Sequence, residues 1–223
     1  MEAIIELVKE GSVPIYLNIF ISIVVLGTII DRGIALGMHH LQVKPENFMR
    51  AITTMVKNGQ LDQAIKLSKY TKHALCRVAY AGLVKANSTA MEISMAIDLE
   101  VMRITPDLEK RIAGLFQLAN IATLLGLIGT IIGLIKCFAG LAAVSPDQKT
   151  VFLANGISEA LYNTAVGLTI AVSCMIGQFI LTGLSKKALA DVETNSVALE
   201  NFLLLRNRTL GVQQEASDMK TGR

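Results

Sequence analysis

Three long apolar stretches alternate with polar ones along this chain. Residues 11–30 and 112–135 carry no charged side chain, and residues 150–185 carry Glu159 alone. About 20 helical residues cross a hydrocarbon core, so each stretch is long enough to span one. None has the period-two alternation of a membrane-barrel strand. The pattern predicts an all-α membrane protein with transmembrane helices at 13–37, 112–142 and 151–185, joined on one side by a short connector at 143–150. Pro14 falls in the first turn of the first span, where proline is tolerated. Asp31 and Arg32 set adjacent opposite charges near its end, as fits a water interface. Residues 1–12 predict a short amphipathic helix lying at the outer interface.

The segment 38–111 reads as helical too. Pro45 opens a run in which Phe48, Ile52, Met55 and Val56 recur at helical spacing, and Asn58-Gly59 stops it. A second run goes from Leu61 to about Tyr70. A third goes from about His73 to Ala86, with Leu75, Val78, Ala79 and Leu83 on one face. Thr89 and Glu92 have capping-box spacing, and Met91, Met95, Leu99 and Met102 follow as an apolar stripe. This helix is expected to run past Pro106 into the second span, giving a rod that reaches below the membrane. The third span is likewise expected to overrun the bilayer, because 188–205 keeps helical apolar spacing. The polar residues beyond about Leu210 predict fraying.

Charge gives the topology. Of 21 Lys and Arg residues, eleven lie within 38–111 and six follow Ser185, whereas the connector has Lys149 and the N-terminal end Lys9. The positive-inside rule places 38–111 and the tail 186–223 in the cytoplasm, with the N-terminus and connector outside. Three spans require that arrangement of ends. Glu2, Glu6 and Glu10 leave no basic n-region for a cleaved signal peptide. The chain is 52% hydrophobic and 17% charged, against about 25% charged in soluble domains. A net charge of +3 is explained by topology and gives no argument for nucleic acid. Cys76, Cys137 and Cys174 are scattered, without CxxC or Cys/His metal spacing, so neither a disulfide framework nor a metal site is read. No cofactor motif appears.

The last two spans carry the chemistry. Gly126, Gly129, Thr130, Gly133, Cys137 and Gly140 share about a third of one helical circumference. Gly156, Ala160, Asn163 and Gly167 form a narrow stripe on the next span, with Glu159 and Thr164 beside it. In lipid, small residues let helices approach closely, so these faces should pack on protein. A carboxylate within a span costs roughly 2.5 kcal/mol or more near the centre. A carboxylate there can take up and release a proton. Glu159 lies nearer the outer side. It either serves that chemistry or pairs with Lys136, whose ammonium can alternatively snorkel to the outer surface. Thr130 and Thr164 either line a polar path or bond back to their own helices.

At these residues the chain resembles the MotA/TolQ/ExbB proton-channel family. Gly126-Leu127-Ile128-Gly129-Thr130-Ile131-Ile132-Gly133 is similar to its G-L-hydrophobic-G-T-V-x-G stretch. Residues 156–168, from Gly156 through Glu159, Ala160 and Thr164 to Gly167 and Leu168, are similar to its G-I-x-E-A-L-x-x-T-A-x-G-L stretch. Asp31-Arg32 resembles the acidic-Arg pair that closes the first span, and the 59–83 region resembles the cytoplasmic part. The likeness covers most of 13–190, and Glu159 with the short cytoplasmic segment favours the TolQ/ExbB-like branch.

The resemblance implies a homopentamer in the bacterial inner membrane, with the second and third spans lining a central pore. It implies a dimer of ExbD/TolR-like single-span partners, each with an intramembrane Asp, and a TonB/TolA-like or other envelope effector. Thr130 and Thr164 would be pore-lining hydroxyls and Glu159 the ring carboxylate. Glu159 and Thr164 are five residues apart, about 140° around a helix, so Thr164 is expected to face the pore and Glu159 a neighbouring helix or subunit. Two other readings stay open: a non-conducting oligomeric scaffold held by the small-residue faces, and a motility or gliding stator of the same family. A membrane enzyme finds no Ser/His dyad, HExxH or nucleotide loop, and His39, His40 and His73 lie outside the spans.

Overall fold

The computed structural model describes residues 13–42, 45–69 and 73–221, with side chains for 13–37, 45–69 and 73–209. The interfacial helix expected at 1–12 lies outside the described residues, as do the side chains of His39 and His40. Among the described residues the structure is helical: α1 (Val13–Gln42), α2 (Pro45–Lys57), α3 (Leu61–Lys69), α4 (Ala74–Val84), α5 (Ala90–Glu109), α6 (Ile112–Gly140) and α7 (Lys149–Thr221). Two short 3₁₀ turns, Leu141–Ala143 and Pro146–Gln148, join α6 to α7. Among the described residues three helical stretches are long and apolar enough to cross a membrane, as befits a membrane protein.

The described chain forms two compact units. One draws on the chain up to Gly33 and on Arg111–Thr182; the other draws on Ile34–Lys110 and the chain from Gly183. The first unit has an inverted look. Its outward positions are apolar, with Phe20, Ile23, Ile135, Phe138 and Phe179 all well exposed, as suits side chains solvated by lipid. Its helices satisfy their own backbone groups, the condition for crossing hydrocarbon. Inside, α6 meets α7 through small residues, and Ile29 of α1 packs on Gly177 of α7. Asp31 accepts from Arg32 at 3.1 Å and from Arg111 at 3.3 Å.

The second unit has an ordinary apolar core. Leu75, Val78, Ala79 and Leu83 of α4 are all buried, with Ile52 and Val56 of α2, as their spacing predicts. On α5 the outcome differs. The buried stripe is Ile93, Ile97, Ile104 and Leu108, whereas Met91, Met95, Leu99 and Met102 are exposed. This helix has two apolar faces, and the β-branched one packs the core. The capping box predicted at Thr89 and Glu92 is present in both directions. His73 caps α4, accepting the Leu75 amide on Nδ1 at 3.2 Å. Arg77 ties α4 to α5 through Glu100 at 2.8 Å and Asp107 at 3.2 Å. Gly59 ends the α2 turn with a φ of 74°, a left-handed conformation that favours glycine.

Two helix ends correct the sequence reading. The expected continuous rod from α5 into the second span is broken. α5 carries Pro106 and ends at Glu109, and Arg111 takes a φ of 65° before α6 begins. A left-handed residue ends the run of αR backbone, and the same Arg111 makes the ion pair with Asp31. Conversely, the helix of α7 runs on through the polar residues beyond Leu210, where fraying is expected, to Thr221.

Candidate functional site

The polar centre of the first unit lies where α6 and α7 come closest. A β-carbon placed on Gly126 would sit 3.2 Å from the Gly167 Cα, and one on Gly167 would sit 2.6 Å from the Ala122 carbonyl oxygen. Further along the seam, Gly133 faces Ala160, Gly156 faces Cys137, and Gly140 faces Phe152. The structure thus brings Gly126, Gly129, Gly133, Gly156, Ala160 and Gly167 onto one seam. Absent side chains are what let two backbones meet there.

That approach exposes the carbonyl of Gly126 to the other helix. Thr130 donates to it from its own helix at 3.0 Å, the common i−4 back-bond. Thr164 donates to the same oxygen from across the seam at 3.2 Å. The other spanning-region threonines with a described backbone acceptor, Thr28, Thr123 and Thr169, bond only to their own helices. The hydroxyls of Thr130 and Thr164 also contact each other directly. Each hydroxyl has one proton, so two protons serve three contacts. At any moment one threonine donates to the other, which donates to the Gly126 carbonyl. Turning both hydroxyls about their C–O bonds reverses the order. The pair is half-buried on the seam between α6 and α7.

Asn163 adds a second crossing. Its Nδ2 donates to the Gly129 carbonyl at 3.4 Å. Among the described residues its Oδ1 is fully buried without a partner, as is that of Asn18 on α1. A buried unsatisfied acceptor costs about 1–3 kcal/mol. The sequence reading placed Asn163 on the small-residue stripe without giving it a role. It passed over Asn18 entirely, although an asparagine inside an uncharged span was the available signal.

Glu159 and Lys136 are not part of this cluster. Both side chains are exposed on the chain, and among the described residues no ion pair joins them. Their two alternatives, pairing or separate roles, therefore turn on what covers these faces.

The model of the MotA/TolQ/ExbB proton channel family matches residues 69–194, more than half of the chain. The chain is 24% identical over 181 residues to biopolymer transport protein ExbB-like 3 of Synechocystis, covering 80% of this chain and 85% of that protein. It is 41% identical over 73 residues to biopolymer transport protein exbB1 of Vibrio cholerae, covering 33% and 32%. It is 32% identical over 95 residues to the Tol-Pal system protein TolQ of Haemophilus influenzae, covering 42% and 38%.

Proposed function

Because the chain belongs to the MotA/TolQ/ExbB proton channel family, on its ExbB/TolQ-like branch, we propose that it is the ring-forming subunit of a proton-driven inner-membrane motor. In this reading several copies, five by resemblance, surround a dimer of ExbD/TolR-like single-span partners. Each partner brings a protonatable Asp to the Thr130–Thr164 level. The N-terminus and the 143–150 connector face the periplasm, and residues 38–111 and 186–223 face the cytoplasm. The third span would then occupy about 151–185. Proton passage turns ring and partner relative to each other, and a TonB/TolA-like or other envelope effector receives the work.

The observation that carries this reading is the shared hydroxyl pair on the Gly126 carbonyl. It offers a proton acceptor and a donor at one point on the seam between α6 and α7. Glu159, exposed on the single chain, is assigned as the ring carboxylate that faces a neighbouring subunit. The homo-oligomer draws support from the exposed stripe of Met91, Met95, Leu99 and Met102. One charge falling through 100 mV releases about 2.3 kcal/mol, so several protons per cycle are needed for substantial work.

The test uses the complex that co-purifies with the tagged full-length chain from its own membrane. The complex is reconstituted in vesicles, and proton entry is followed with a pH dye under an imposed potential. Thr130→Val, Thr164→Val and Glu159→Gln should each assemble and each lower flux about tenfold or more. A scaffold would tolerate all three and fail instead on Gly129→Leu. Unchanged flux in every polar variant defeats the proposal.

A further inference from the structure

Asn163 stands immediately before Thr164, at a position that the family's G-I-x-E-A-L-x-x-T stretch leaves open. Its side chain is 3% exposed. Two consecutive residues of α7 thus reach two carbonyls of α6 that lie three residues apart: Asn163 takes Gly129 and Thr164 takes Gly126. The two acceptors lie on the side of α6 that meets α7, one residue and four residues before Thr130. A β-carbon on Gly129 would come within 2.9 Å of the Asn163 Cβ, so the amide lies against bare backbone. Slipping α7 by one residue moves it about 1.5 Å and turns each side chain by about 100°, which would break both crossings together.

Adhesion alone does not explain this amide. An apolar side chain would satisfy packing with no polar group to partner, whereas Asn163 holds a buried Oδ1 without a partner among the described residues. We infer that Asn163 is a positioning residue for proton transfer at the hydroxyl pair, fixing the register of α7 on α6 so that Thr164 meets Thr130 and Gly126 at once. The inference rests on the proton-conducting reading above. It goes beyond that reading by giving a role to a side chain that never carries the proton itself.

A double-mutant cycle in the same vesicle assay tests it, with flux normalised to assembled complex. Asn163→Leu should lower flux about fivefold or more. In the Asn163→Leu/Thr164→Val double variant, flux should equal that of Thr164→Val alone, because a register clamp has nothing left to position. Losses that multiply in the double variant mean that Asn163 acts independently of the hydroxyls, and they overturn the inference. If Asn163→Leu does not assemble, Asn163→Ala takes its place in the cycle and is read in the same way. Full flux from whichever Asn163 variant assembles also overturns it. Full flux in Thr130→Val, Thr164→Val and Glu159→Gln alike removes the conducting reading itself, an outcome separate from failure of the Asn163 variants alone.

Discussion

Thr164 on α7 donates its hydroxyl to the carbonyl oxygen of Gly126 on α6, 3.2 Å away, at a point where Gly126 places no side chain between the helices. The bond exists because both partners of the seam are stripped of bulk: Gly167 stands opposite Gly126 with less room than any β-carbon needs. The small-residue stripe and the hydroxyl pair are therefore one device. The first sets the distance that makes the second possible, and loss of either should be felt at the other.

The glycines of the first unit are accordingly not equivalent. Gly167→Ala would put its methyl 2.6 Å from the Ala122 carbonyl oxygen, a backbone atom that no rotamer change can move. Forcing the helices apart should destabilise this unit by about 1–3 kcal/mol and separate Thr164 from Gly126. Gly114→Ala meets nothing within 4 Å and should be neutral or slightly stabilising. Thermal unfolding of the two variants in detergent, followed by circular dichroism, should rank them in that order. Equal midpoints would mean that the seam is looser than its geometry.

In the second unit the Thr89–Glu92 capping box starts α5, whose Ile93 and Ile97 lie in the core. Thr89→Ala removes the acceptor for the Glu92 amide and should cost about 1 kcal/mol. The effect should show as faster amide hydrogen exchange over residues 90–94, with the first unit unaffected. Thr89→Ser should restore protection, because its hydroxyl can make the same bond.

Much of this was legible in the sequence, for reasons that differ by region. The spans follow from uncharged length, and the seam follows from glycine at helical spacing, since both depend on one helix at a time. The α4 face was legible because Leu75, Val78, Ala79 and Leu83 make a single stripe. On α5 two apolar stripes compete, and periodicity alone does not rank isoleucine above methionine. The break at Arg111 was missed because Pro106 marks a weak point five residues earlier, whereas a left-handed arginine leaves no trace in composition. The shared acceptor at Gly126 could not be read either. It depends on the register between α6 and α7, which single-helix patterns do not contain.

The stripe that the core leaves out yields the last prediction. Met91, Met95, Leu99 and Met102 recur along one side of α5 with 51–71% of their surface exposed. Four such exposed apolar side chains in a row form a patch that calls for a cover, and flexible methionines suit a surface that must repack. If copies of this chain associate through it, Met95→Glu together with Met102→Glu should place charges in the contact and lower the oligomer's mass in mild detergent. The fold of each chain should remain intact, because neither side chain contributes to the core of its own chain. Mass photometry or native mass spectrometry of the purified complex reads this directly. A double variant that keeps the full mass would assign the stripe to another partner and leave assembly to the membrane-spanning unit.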